Sequence, residues 1–304
     1  MIRDLLVACD FSDSSARALA YGVDLVERTG GILHFTYVQE VSMGPFVGGE
    51  PSPERGDRRL RARFEERCRD ELLEACSFTP DDEHLSFEAQ RSGAVAPTLV
   101  RLAEERDVDL IVMGTQGRRG VQRALFGSVA EEVLRTAPCP VLTTRAPDGE
   151  ETGGPPEAVD VERIVVPLDF SESSRSALRY AARLAPVYEA PLTLVHAIQL
   201  PSIPTAYELE LSGLSPQGLE ERVRDELQEW AGTVSVEQGI SYVVESGDAV
   251  PTILGVASAS SDLVVTSTRG RSGVKRTMLG SVAEGVIRRA PGPVISARSF
   301  PEEE

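Results

Sequence analysis

Two stretches of this chain are copies of one another. Gly114 to Pro138 and Ser267 to Pro291 are identical at fifteen of twenty-five positions. A repeat of that quality, separated by about 150 residues, means that one folding unit was duplicated, so the architecture must be two similar domains in tandem. The first copy reads Gly114-Thr-Gln-Gly117-Arg-Arg-Gly-Val-Gln-Arg-Ala-Leu-Phe-Gly127-Ser128, the second Ser267-Thr-Arg-Gly270-Arg-Ser-Gly-Val-Lys-Arg-Thr-Met-Leu-Gly280-Ser281.

Each copy follows an apolar run (Leu110 to Met113 in the first) and opens a helical pattern, Ser128 to Thr136. A glycine-rich loop between a strand and a helix N-terminus is a general anion-binding device: glycines let the backbone come close, and the unpaired N–H groups of the first helical turn point at the ligand. The charge agrees. In a chain of net charge −17, no Asp or Glu occurs from Leu110 to Ala130, while Arg118, Arg119 and Arg123 do. Ser128 with Glu131, and Ser281 with Glu284, have the Ser-x-x-Glu spacing of a capping box.

The duplication reaches beyond these loops. Ile164 to Ser171 repeats Leu5 to Ser12, including Asp169-Phe-Ser for Asp10-Phe-Ser; Leu192 to Ala197 matches Leu33 to Val38; Asp262-Leu-Val-Val matches Asp109-Leu-Ile-Val; and Gly292 to Arg298 matches Cys139 to Arg145. In the first half, apolar runs at 2–9, 32–38, 84–90, 109–114 and 141–145 alternate with helical patterns at 13–28, about 57–76, 94–106 and 128–136. Ser42 to Gly56 is rich in Gly and Pro and reads as a loop. Strands alternating with helices predict an α/β fold with a mostly parallel sheet covered on both faces. The boundaries expected are 1–146 and 161–299 for the domains, 147–160 for the linker and 300–304 for an acidic tail.

Of 31 basic residues only Lys275 is a lysine, against 48 acids. Such an acid excess is expected of a salt-rich, halophilic cytoplasm, where charge keeps proteins soluble. It argues against nucleic acid or anionic lipid as the main partner. No apolar run reaches the ~18 residues of a membrane span, so a cytoplasmic location is expected. The four cysteines and three histidines form no metal-ligand spacing, so no metal site is expected.

Asp10 and Asp169 end the first strand of each half. In doubly wound sheets, ligands sit outside the carboxyl ends of the strands, where strand order reverses. If the fourth strand lies beside the first, Asp10 shares a crevice with the Gly114 loop: a carboxylate for a sugar hydroxyl or base amine next to a basic loop for phosphates. Neither a Walker loop nor G-x-G-x-x-G after a strand is present. What is present is G-x2-G-x9-G-S, from Gly114 through Gly117 to Gly127-Ser128.

With Asp10-Phe-Ser12 after the first strand, that spacing resembles the universal stress protein family, and the chain resembles a tandem of two such domains. The resemblance implies two Rossmann-like domains, each a five-stranded parallel sheet of order 3-2-1-4-5 with helices on both faces. It also implies a bound adenine nucleotide (ATP, ADP or AMP), with Mg2+ held by the phosphates, and pairing through the fifth strand, here between the two halves, with homo-oligomers a further option. Carried over from the ATP-binding branch, the binding residues are Asp10, Val38, Met113, Gly114, Gly117, Gly127, Ser128 and Val129 in the first half. In the second they are Asp169, Ala197, Gly270, Gly280 and Ser281.

Three functions follow: a nucleotide-binding stress-response module, a nucleotide-free scaffold acting by dimerisation or partner contact, and a slow ATPase. The intact first motif favours the first, and no catalytic residue is assigned. Ser267 stands where the motif has Gly114. A glycine there serves either a left-handed backbone angle or an approach too close for a Cβ. On either ground the second site is expected to be the weaker.

Overall fold

The computed structural model of the 304-residue chain describes residues 2–41, 53–70, 83–116, 126–145, 159–199, 216–268 and 279–297. Two compact units divide the chain, Met1–Val159 and Asp160–Glu304. The first runs β1 (Asp4–Ala8), α1 (Asp13–Thr29), β2 (Ile32–Glu40), α2 (Pro53–Cys68), β3 (Leu85–Ser92), α3 (Val95–Glu105), β4 (Leu110–Gly114), α4 (Ser128–Thr136) and β5 (Val141–Thr144). The second runs β6 (Arg163–Pro167), α5 (Glu172–Tyr188), β7 (Leu192–Ile198), α6 (Pro216–Ala231), β8 (Ile240–Ser246), α7 (Ala249–Val256), β9 (Asp262–Ser267), α8 (Ser281–Arg289) and β10 (Val294–Ala297).

Within the first unit the strands are all parallel in the order β3-β2-β1-β4-β5; the second has the equivalent order β8-β7-β6-β9-β10. The apolar runs are explained by this placement. A central parallel strand is covered on both faces, so every residue must be apolar rather than every second one. Leu5, Leu6 and Val7 of β1 and Ile164, Val165 and Val166 of β6 are all fully buried. Helix α1 lies over β1, β4 and β5, whereas α3 packs on β2 and against α4. Its period-3.6 residues Ala18, Leu19, Leu25 and Val26 are buried, Ser12 caps its start, and Gly30 ends it at φ 67°.

One expected boundary is corrected. Residues 53–56 belong to α2, not to the loop read over Ser42 to Gly56. Pro53 takes the first helical position, where a missing N–H costs nothing, so proline there starts a helix rather than breaking one. Phe64 and Cys68 of this helix are buried as its pattern requires. Leu72, most of the linker and the acidic tail lie outside the described residues. No helix among the described residues is long and apolar enough to cross a membrane.

Candidate functional site

β1 lies between β2 and β4, with Ala8 in register with Thr36 on one side and Met113 on the other. The chain leaves β1 in one direction to form α1, β2 and β3, and returns on the other side as β4 and β5. That reversal leaves a crevice at the carboxyl ends of the two strands. Asp10 stands at its rim. Its Oδ1 accepts the Ser12 backbone N–H at 3.0 Å and the Ser12 hydroxyl at 2.5 Å. Ser12 Oγ also lies 3.2 Å from the Gln116 carbonyl, to which Ser14 Oγ donates a short bond. Asp10 is thereby tied, through two serines, to the first turn of the glycine loop, across more than a hundred residues of sequence.

Phe11 makes this turn possible. Its φ is 60°, and Phe170 in the second unit repeats it at 59°. A left-handed angle on a bulky residue costs about 1–2 kcal/mol. Ring contacts offset it: Phe11 meets Tyr37 and Phe64 edge-on at 6.0 and 5.8 Å, and the Arg67 guanidinium lies 3.8 Å over its centroid. Each such pair contributes about 0.5–1.5 kcal/mol. Phe170 is held likewise by His196 at 4.7 Å and Trp230 at 5.4 Å. Turning the ring under the neighbouring helix leaves the Asp side chain folded over the start of α1.

The base of the glycine loop is closed. Thr115 N–H bonds to Thr144, and Gly127 N–H returns to the Thr115 carbonyl at 2.9 Å. The N-terminus of α4 is thus pinned beside the end of β4. Thr268 and Gly280 repeat the closure at 2.9 Å. Here the capping boxes are corrected. Gly127 and Gly280, extended at φ −64° and −66°, are the N-cap residues, and Ser128 and Ser281 are the first residues of their helices. The Glu131 and Glu284 amides bond the glycine carbonyls as ordinary helical bonds. A glycine cap has no side chain to take up the first-turn N–H groups, which fits a helix start that receives an anion rather than one closed by its own serine.

Gly114 is needed for neither reason that would have involved a ligand. It is not among the residues with a left-handed angle. A Cβ built on it would lie 2.8 Å from the Ser14 carbonyl carbon, so the close approach is to α1 of the same domain. Ser267 occupies the same register one domain later, beside Ala297 where Gly114 has Thr144. The ground for expecting a weaker second site is therefore removed: the difference is one of packing between strand and helix.

The other candidates fall into three groups. Asp10 follows the end of β1 and Gly127, Ser128 and Val129 lie after the end of the neighbouring parallel strand β4; Asp169 stands likewise after β6, and Gly280 and Ser281 after β9. In the second unit Asp169 Oδ1 holds Ser171 N at 3.1 Å and Oγ at 2.5 Å. Val38 lies near the end of β2 and is 9% exposed, Ala197 of β7 is half-buried, and Met113 is a sheet residue 4% exposed. Gly117 and Gly270, with Arg118, Arg119, Arg123 and Lys275, lie outside the described residues. Cys9 beside Asp10 is buried, and burial pushes the Cys139 thiol up to about 12, which removes it as a nucleophile at neutral pH. Ser12, Ser14 and Phe11 did not emerge as site residues from the sequence. Their repetition as Ser171, Ser173 and Phe170 was the signal that marks them.

The geometry agrees with what comparison finds. The family model of the universal stress protein family matches the chain twice, over residues 1–145 and 160–298. A universal stress protein of Methanocaldococcus jannaschii, MJ0531, is 31% identical over 151 residues, 49% of this chain and 86% of that protein. Rv2005c of Mycobacterium tuberculosis is 31% identical over 202 residues, covering 66% of this chain and 65% of that relative. Among solved structures, a universal stress protein from Archaeoglobus fulgidus superposes with a TM-score of 0.60 at 20% identity, over 97% of this chain and 98% of that one. One from Pseudomonas aeruginosa gives 0.61 at 18% identity, over 98% and 93%. Matched twice along its length and built twice from the same parallel sheet, the chain belongs to the universal stress protein family.

Proposed function

We propose that each domain binds an adenine nucleotide, ATP or its diphosphate or monophosphate, and that the chain acts as a binding and regulatory module in a cytoplasmic stress response rather than as an enzyme. One observation carries the reading. A carboxylate at the end of the first strand and an uncapped helix start after the fourth are joined in one crevice, Ser12 donating to Asp10 and Ser14 donating to the Gln116 carbonyl, and the second domain repeats the carboxylate and the helix start. A nucleotide presents groups for both, hydroxyls or an amine for Asp10 and phosphates for the amides of Ser128 and Val129. Phosphates held there would bring Mg2+ with them.

Calorimetric titration of the full chain with ATP, ADP and AMP in molar KCl tests this. Two binding events are expected. Asp10→Ala should weaken one and Asp169→Ala the other, by about tenfold or more, since a hydrogen bond to a charged group contributes about 1.5–3 kcal/mol. Asp10→Asn, which keeps an acceptor for the Ser12 N–H, separates loss of the turn from loss of the ligand contact. Absence of heat with all three nucleotides overturns the proposal in favour of a scaffold.

The second part of the proposal is that the two halves pair through their fifth strands. It rests on their sequences: Val141–Thr144 and Val294–Ala297 are short and uncharged, and an open edge of that kind is a pairing liability. Each half expressed alone should self-associate in sedimentation; two monomeric halves would refute the pairing.

A further inference from the structure

The amino ends of β1, β2 and β3 hold a cluster that the crevice does not use. His34 of β2 is in register with Leu6 of β1 and with Ser86 of β3, and is 8% exposed. Its Nδ1 lies 2.6 Å from Ser86 Oγ, and its Nε2 lies 3.4 Å from Asp4 Oδ1. The Arg106 guanidinium, just past the end of α3, is 3.4 Å from the same Nδ1 and pairs with Glu88 of β3.

These contacts fix the tautomer. A guanidinium has only donors, so the nitrogen facing it must be the acceptor. Nδ1 therefore carries a lone pair, taking the Ser86 hydroxyl proton, and Nε2–H points to Asp4. Adding a proton at Nδ1 removes the acceptor for Ser86 and sets an imidazolium against the Arg106 cation. Asp4 and Glu88 favour the charged ring, whereas burial and Arg106 oppose it.

We infer that His34 is a proton-operated latch across β1, β2 and β3, which loosens the first domain on mild acidification. The second domain supplies the contrast. There the position of His34 is Thr193, whose Oγ1 meets Ser241 Oγ at 2.9 Å in the same register. That hydroxyl pair joins the same two strands with nothing to titrate. The inference is independent of any nucleotide.

Burial first, then Arg106, holds the His34 pKa below its ordinary 6.5. The unfolded chain therefore binds more protons than the folded one below that value. The stabilisation is complete above pH 6.5 and is lost as pH falls from 6.5 towards the folded pKa. Within that window the folded-to-open ratio falls by up to about tenfold per pH unit.

Hydrogen exchange of the full chain, read as protection factors at about pH 7.5 and pH 5.5, tests the latch. In the wild type, β2 and β3 should lose several-fold more protection on acidification than in His34→Thr, copied from the second domain. β7 and β8, where His196 is held by the Leu168 carbonyl, should respond alike in the two proteins. Equal losses in β2 and β3 of the two proteins would overturn the latch. Titration of the His34 ring in the wild type by NMR decides independently of how well the variant folds: a midpoint below 6.5 supports the latch, and one at or above 6.5 rejects it.

Discussion

Gly114→Ser is expected to destabilise the first domain by about 1–3 kcal/mol, the usual cost of forcing atoms into a filled space. The new Cβ meets backbone, with the Ser14 carbonyl carbon at 2.8 Å, so no side-chain rotation relieves it. The start of α1 must move, although Thr144 Oγ1 anchors it by donating to the Ser14 carbonyl at 2.8 Å. The second domain shows how the serine is accommodated. Across the register from Ser267 is Ala297, as Thr144 is from Gly114, so Gly with Thr and Ser with Ala carry equal numbers of side-chain heavy atoms. The volume is conserved and only its strand changes. Thr144→Ala alone should cost about 1 kcal/mol through the lost hydrogen bond. The double variant should recover at least half of the serine penalty, giving a coupling of about 0.5–2 kcal/mol in a double-mutant cycle. Hydrogen exchange in β4 and β5 reads the first domain directly. Strictly additive effects would show that the pair is not compensated.

Much of this arrangement could be read from the sequence because the sequence contains its own control. A residue that returns after a duplication, such as Asp10 as Asp169 or Gly127 as Gly280, is marked without any relative to compare. Apolar runs and helical periodicity located the elements, and strand order follows from a resemblance that the glycine spacing carried. What escaped depends on neighbours distant in the chain. Whether a glycine serves an angle or a contact is decided by what packs on it, and Ser14 is a hundred residues from Gly114. A phenylalanine with φ 60° runs against local preference, which favours Gly or Asn there, and only the ring cluster from β2 and α2 makes it affordable. The one-residue shift of the caps has a similar origin: Gly127 is fixed as N-cap by Thr115, not by the Ser-x-x-Glu pattern. Composition misled at Pro53, where a proline that reads as loop is the first residue of a helix.

The duplicated acids at the starts of β4 and β9 show that identical residues can be held by different partners, and they set the largest single-side-chain effect expected in the second domain. Asp109 Oδ2 accepts two backbone N–H groups at the start of β1, from Arg3 at 2.6 Å and Asp4 at 3.0 Å. Asp262 instead receives a two-pronged bond from Arg163, Nε to Oδ1 and Nη2 to Oδ2, both 2.9 Å, while Oδ2 also takes the Ala259 N–H at 3.0 Å. The second Arg163 nitrogen reaches the Val256 carbonyl at 2.8 Å, so one side chain ties β6 to β9 and to the end of α7. Asp262 is 3% exposed, and a carboxylate that buried needs its cation. Breaking a fully buried pair costs about 3–5 kcal/mol; the Arg163 side chain is 36% exposed, so solvent reduces this to about 2–4 kcal/mol. Arg163→Met should therefore lower the second domain's denaturation midpoint sharply. Trp230 is the single tryptophan of the chain and lies in α6, so its fluorescence follows that domain alone. Adding Asp262→Leu should restore part of the loss, because a neutral pair of similar size leaves no charge stranded. A midpoint unmoved by Arg163→Met, or a double variant worse than the sum of its parts, would show that Asp262 is held by the Ala259 amide and that the arginine is dispensable.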